Sequence, residues 1–139
     1  MKAVFLTVAV FLALGFCSCG ERLVPAQRLV EISTGGPIRG AYFFDTQEGF
    51  LVGGERFSET ILSYTDDAVQ SWSPRIPEPA FGQTLFDISF YDRDRGVACG
   101  IGGKYLYTLD SGDSWRVVQS QYWRQMQGIT FADSLTVIA

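Results

Sequence analysis

The strongest constraint on what this 139-residue chain can fold into is that its body repeats itself. One unit reads Ala41-Tyr-Phe-Phe-Asp45, Gly49-Phe-Leu-Val-Gly53, Thr65-Asp-Asp67 and Ser71-Trp72. The next reads Ile88-Ser-Phe-Tyr-Asp92, Gly96-Val-Ala-Cys-Gly100, Thr108-Leu-Asp110 and Ser114-Trp115. The two tryptophans stand 43 positions apart and Gly49 and Gly96 stand 47 apart, so the first unit carries about four extra residues near Glu55–Thr60. A third copy opens at Ile129-Thr-Phe-Ala-Asp133 and runs through Thr136-Val-Ile-Ala139. A period of this length belongs to architectures in which each unit buries its apolar face against a neighbour.

Inside the second unit the segments read as four short strands. Phe86–Tyr91 alternates around Ile88 and Phe90, Val97–Ile101 is short and apolar, Lys104–Leu109 is rich in Tyr, and Ser114–Ser120 carries Trp115, Val117 and Val118. Turn chemistry separates them at Asp92–Gly96, Gly102-Gly103 and Asp110–Asp113. Four antiparallel strands in about 40–45 residues is the pattern of one β-propeller blade. The predicted fold is therefore all-β, a partial β-propeller of about two four-stranded antiparallel blades plus the start of a third, behind a signal peptide.

That signal is read from the N-terminus. Met1-Lys2 is a short positive start, Ala3–Phe16 is apolar and free of charge, and Cys17-Ser18-Cys19-Gly20 follows. The pattern is secretory and short for a membrane span. Two cysteines at the end of the apolar run point to a bacterial lipoprotein signal with Cys19 lipidated, because small Ser18 precedes Cys19 whereas bulky Phe16 precedes Cys17. An ordinary signal peptide cut nearby and an uncleaved anchor are the alternatives. Each places the rest of the chain outside the cytoplasm, in the cell envelope if anchored. Cys99 is then the one internal cysteine, and no intrachain disulfide framework is available. The expected divisions are 1–19 signal, 20–37 linker or first strand, 38–79 blade 1, 80–125 blade 2 and 126–139 the truncated start of blade 3.

Composition narrows the chemistry. The chain has no His, which removes the commonest general base, the usual zinc ligand and any Ser-His-Asp triad from it. Eleven basic against fifteen acidic residues leave no electrostatic footprint for nucleic acid.

Thr108-Leu-Asp-Ser-Gly-Asp-Ser-Trp115 resembles the Asp-box, Ser/Thr-x-Asp-x-Gly-x-Thr/Ser-Trp, of bacterial neuraminidase repeats. The stretch from Asp87 to Trp115 resembles more specifically the sialidase-like repeats of the photosystem II assembly and stability factor family, and the likeness covers Ile38 to Ala139. The first unit's version, Thr65–Trp72, keeps Asp67 and Trp72 but puts Val69 where the pattern has Gly. The resemblance implies a structural role for Thr108, Asp110, Gly112, Ser114, Trp115, Asp67 and Trp72. The Asp carboxylate should accept hydrogen bonds within its own hairpin, Gly112 should take a positive φ, and the Trp should pack on its own blade over the turn. It also implies a binding or scaffolding protein of assembly-factor type, whose partner is an extracytoplasmic protein or glycan.

No catalytic, cofactor-binding or metal-binding residue emerges from the remaining motifs. Arg75-Ile-Pro77 is similar to the sialidase motif whose Arg binds a carboxylate, but it follows Trp72 where that motif precedes the first box, and Pro74 replaces the aromatic residue. It reads as a linker between blades. Asp92-Arg-Asp-Arg-Gly96 opens like a calcium loop but interleaves its acids with Arg93 and Arg95, as an ordinary surface turn does. Asp45, Asp92 and Asp133 fall at one phase of the repeat, which suits a shared turn better than three catalytic acids. Tyr105, Tyr107, Tyr122 and Trp123 read first as blade packing and second as a stacking groove, and Cys99 as a small buried hydrophobe. The alternative function is the start of a sialidase-like glycoside hydrolase with its catalytic residues beyond Ala139. Such an enzyme should show an aromatic-Arg-Ile-Pro before its first box, and this chain does not.

Overall fold

The computed structural model describes residues 31–77 and 82–139. Cys19, the signal segment and most of the 20–37 linker lie outside the described residues. Among the described residues ten strands run in chain order, four in each of the first two repeats: β1 (Ile38–Phe43), β2 (Gly49–Gly53), β3 (Ile61–Thr65) and β4 (Ser73–Pro74), then β5 (Leu85–Phe90), β6 (Gly96–Gly100), β7 (Lys104–Thr108) and β8 (Arg116–Gln119). The third copy supplies β9 (Thr130–Phe131) and β10 (Val137–Ile138). Neighbours in sequence are neighbours in space, giving antiparallel sheets β1-β2-β3-β4 and β5-β6-β7-β8 and a two-stranded β9-β10. The chain is all-β, with each described four-stranded sheet laid out as one propeller blade.

Successive strand residues point to opposite faces, and the second sheet shows why both its faces are apolar. From β6 and β7, Ala98 and Leu106 join Ile88, Phe90 and Trp115 in a core against the first sheet's Phe50, Val52 and Leu62. The residues between them, Val97, Cys99, Tyr105 and Tyr107, turn the other way onto Ile129 and Phe131 of the third copy, with Met126. A sheet that buries both faces requires a neighbour on each side. Aromatic rings hold the first junction: Phe50 stacks on Phe90 with centroids 5.1 Å apart, and Phe44 meets Phe90 edge-on at 4.7 Å.

The glycines that bound β2 and β6 follow from crowding. A Cβ on Gly96 would lie 2.5 Å from the Phe90 ring, and one on Gly100 would lie 2.3 Å from the Thr84 carbonyl. Gly49 and Gly53 meet Phe43 and the Pro37 carbonyl in the same way. The Gly-x-x-x-Gly repeat in sequence is thus the trace of an inner strand folded closely across its neighbour.

Candidate functional site

Alternating strand direction gathers the turns at two ends of the sheets. One end holds the turns at 44–48, 66–72, 91–95, 109–115 and 132–136. Nine of its residues are acidic and two, Arg93 and Arg95, are basic. The opposite end holds 54–60, 101–103 and the described parts of the connections after β4 and β8.

At the acidic end the Asp residues are tied into their own turns. Asp110 Oδ1 accepts from the Thr108 hydroxyl at 2.7 Å and the Ser114 amide at 2.9 Å, while Oδ2 accepts from the Ser114 hydroxyl at 2.5 Å. The Ser114 hydroxyl foremost, then its amide and the Thr108 hydroxyl, hold the Asp110 carboxyl down at about 2. Asp67 repeats the arrangement with Thr65 at 2.9 Å, the Gln70 and Ser71 amides at 2.9 Å each and the Ser71 hydroxyl at 2.6 Å. Its carboxyl is likewise held at about 2, first by the Ser71 hydroxyl.

Gly112 takes φ +82°, and its α-carbon lies so close to Phe50 of the first sheet that a Cβ would come within 2.3 Å of the ring. Val69, at the same place in the first unit, still takes φ +64°, with Ala68 at +58° matching Ser111 at +60°. The turn is therefore the same in both copies, and the β-branched residue carries the strain. The tryptophans differ. Trp115 is buried, and its Nε1 donates to the Gly112 carbonyl at 3.1 Å. Its ring meets Phe90 of its own sheet at 6.0 Å but also Phe50 of the preceding sheet at 6.1 Å, so it fills the gap between blades in addition to covering its turn. Trp72 is partly exposed, packs edge-on to Phe43 at 6.4 Å, and its Nε1 is buried with no partner among the described residues.

The second family of Asp residues forms one shared turn. Asp45 Oδ1 accepts from the Gln47 and Glu48 amides, Asp92 Oδ1 from Asp94 and Arg95, and Asp133 Oδ1 from Leu135 and Thr136, all between 2.7 and 3.0 Å. These bonds lower all three carboxyls, with the Arg95 guanidinium the largest cause at Asp92. Two arginines then link the copies. Arg93 donates to Asp45 at 2.7 Å and to Glu48 and lies over the Phe44 ring, while Arg95 donates to the Ser134 carbonyl at 3.2 Å. Periodicity did not disclose these links, because a residue that reaches the next sheet leaves no mark on its own repeat. Asp87 is a further case: its Oδ2 accepts the Ile129 amide at 2.9 Å and fastens the third copy, yet its counterpart in the first unit is Gly40.

The other sequence candidates separate. Tyr105 and Tyr107 pack between the second and third copies, whereas Tyr122 and Trp123 stand 64% and 78% exposed. Cys99 is buried, its thiol pushed up to about 12 by desolvation and donating to the Met126 carbonyl at 3.2 Å. Arg75 lies beside Tyr64 in a cleft of about 410 Å³ between Pro74–Pro77 and Asp113–Trp115, its guanidinium 3.5 Å from Asp113. Among the described residues no three His, Cys, Asp or Glu gather closely enough to hold a metal ion.

These features define a class, a protein built from β-propeller blades. No family model matches the chain, and no curated protein matches it. Among solved structures it is similar to one described as YCF48 bound to D1 peptide, with a TM-score of 0.63 and 23% identity. The match covers 78% of this chain and 35% of that one, so the chain spans about a third of its neighbour's length. At this identity the likeness shows the propeller fold.

Proposed function

We propose that this protein is an exported β-propeller that binds and holds another polypeptide outside the cytoplasm, anchored to the membrane through a lipid on Cys19. The observation that favours binding over hydrolysis within this chain is the fate of the repeated carboxylates. Asp45, Asp67, Asp92, Asp110 and Asp133 are each bonded to their own turn and held below the ordinary carboxyl range. A glycosidase acid needs the opposite, a carboxyl raised so that it carries a proton near neutral pH. The solved neighbour, described as bound to a peptide, supports a polypeptide as the partner class.

The test uses the full-length protein isolated from its own membranes after crosslinking, alongside hydrolysis assays on fluorogenic sialosides and other glycosides. The expected outcome is a crosslinked extracytoplasmic polypeptide and hydrolysis no faster than in buffer. Glycoside turnover by the full-length protein above the buffer rate would replace the binding reading with the hydrolase one.

A further inference from the structure

The two ends of the sheets differ in charge as well as in turn chemistry. The Asp-turn end carries nine carboxylates against Arg93 and Arg95. At the opposite end the described loops at 54–60, 75–77, 82–84, 101–103 and 120–129 carry Glu55 and Glu59 against Arg56, Arg75 and Arg124, with Arg75 paired to Asp113. That nearly neutral end also presents the three most exposed aromatic rings described, Phe57 at 64%, Tyr122 at 64% and Trp123 at 78%.

Arg56 and Arg124 each adjoin one of these aromatics. Arg56 lies over the Phe57 ring at 5.1 Å, and Arg124 follows Trp123 in the chain. The Arg56–Phe57 pair sits in the stretch that the first unit has and the second lacks, so the repeat itself does not require it. Phe57 holds φ +62°, a conformation that costs a bulky residue energy and here projects the ring from the loop. Aromatic rings beside arginines suit the headgroup layer of a membrane, where a ring takes the apolar boundary and a guanidinium takes a phosphate.

From this arrangement we infer that the end bearing Arg56–Phe57 and Tyr122–Trp123–Arg124 rests on the lipid headgroup surface, with the acidic turns directed away from it. The inference rests on the reading that Cys19 holds the chain at the membrane. The tether does not choose the orientation. Twelve positions separate Cys19 from Glu31, a reach of up to about 43 Å, and a five-residue strand spans only about 17 Å. The surfaces choose. Anionic headgroups repel the nine-carboxylate end, and a tether keeps the other end at an effective concentration in the millimolar range, where weak contacts suffice.

The experiment reconstitutes the full-length processed protein into vesicles of phosphatidylethanolamine and phosphatidylglycerol with brominated acyl chains and reads tryptophan quenching. A mass spectrum of the N-terminus reports separately on Cys19. If Cys19 is unmodified, the anchor reading fails, and the chain is coupled through the Cys19 thiol to a maleimide lipid so that orientation is still measured. The expected result is strong quenching that Trp123→Phe abolishes and Arg56→Glu with Arg124→Glu weakens, each arginine being worth about fivefold in partition. In a Trp123→Phe background, Leu109→Trp reports from the acidic end and should stay unquenched. Equal quenching at both ends, or an unquenched Trp123, overturns the inference. A Trp123 that is unquenched by lipid yet shielded in native membranes would assign that end to a protein.

Discussion

Asp110 and Asp67 show how one side chain can fix a turn. Each gathers a Thr hydroxyl, a Ser hydroxyl and at least one backbone amide onto one carboxylate, and these bonds require the ionised form. The folded-state carboxyls sit at about 2 against 3.8 for the free group. Their contribution is therefore full above pH 3.8 and is lost as pH falls toward 2. Urea midpoints measured down that range should fall for the native protein and fall less steeply for Asp67→Asn with Asp110→Asn. Val69 offers a sharper test. Its φ of +64° suits glycine, so Val69→Gly should stabilise by about 1 kcal/mol once glycine's own entropy is counted. The converse, Gly112→Val, adds the same strain and drives a side chain into Phe50, and should cost about 3 kcal/mol. Equilibrium denaturation checks both.

At the scale of elements, the four-strand units and their turns were legible in sequence, because alternation, bounding glycines and Thr-x-Asp turns are local signals. The expected Phe86–Tyr91 strand differs from the observed Leu85–Phe90 by one residue at each end. The partners of the tryptophans were not legible, since spacing places Trp115 and Trp72 alike. Trp115 lies between two sheets with its indole N–H bonded, whereas Trp72 is partly exposed and its indole N–H has no described acceptor. Trp115→Ala should therefore cost about 3–5 kcal/mol and Trp72→Ala about 1–2. Thermal melts of the two variants decide this, and equal losses would mean that the copies are packed equivalently.

The whole molecule depends on junctions that the linear pattern implies but does not spell out. A repeat whose strands are apolar on both faces must stack, so blade against blade could be read from Val97-Ala98-Cys99 and Tyr105-Leu106-Tyr107. Which residues would cross between copies could not. Arg93 to Asp45, Arg95 to Ser134 and Asp87 to Ile129 depend on how two twisted sheets settle together. The candidate site was legible in the same partial way. The turn Asp residues were visible as a series, while the grouping of Arg56, Phe57, Trp123 and Arg124 at one end needed the strand directions. On the proposed reading of export and anchoring, mass spectrometry of the mature N-terminus should show a lipid on Cys19 that Cys19→Ala removes together with membrane retention.

The central claim is that the first two copies face each other as consecutive blades across one aromatic junction. A double-mutant cycle on Phe50→Leu and Phe90→Leu in the full-length protein tests it most directly, because the two rings belong to different sheets and stack at 5.1 Å. Consecutive blades predict a coupling energy of about 0.5–1.5 kcal/mol between the two substitutions. Strictly additive losses would contradict the account, showing that Phe50 and Phe90 do not share a core and that the repeats do not pack as blades.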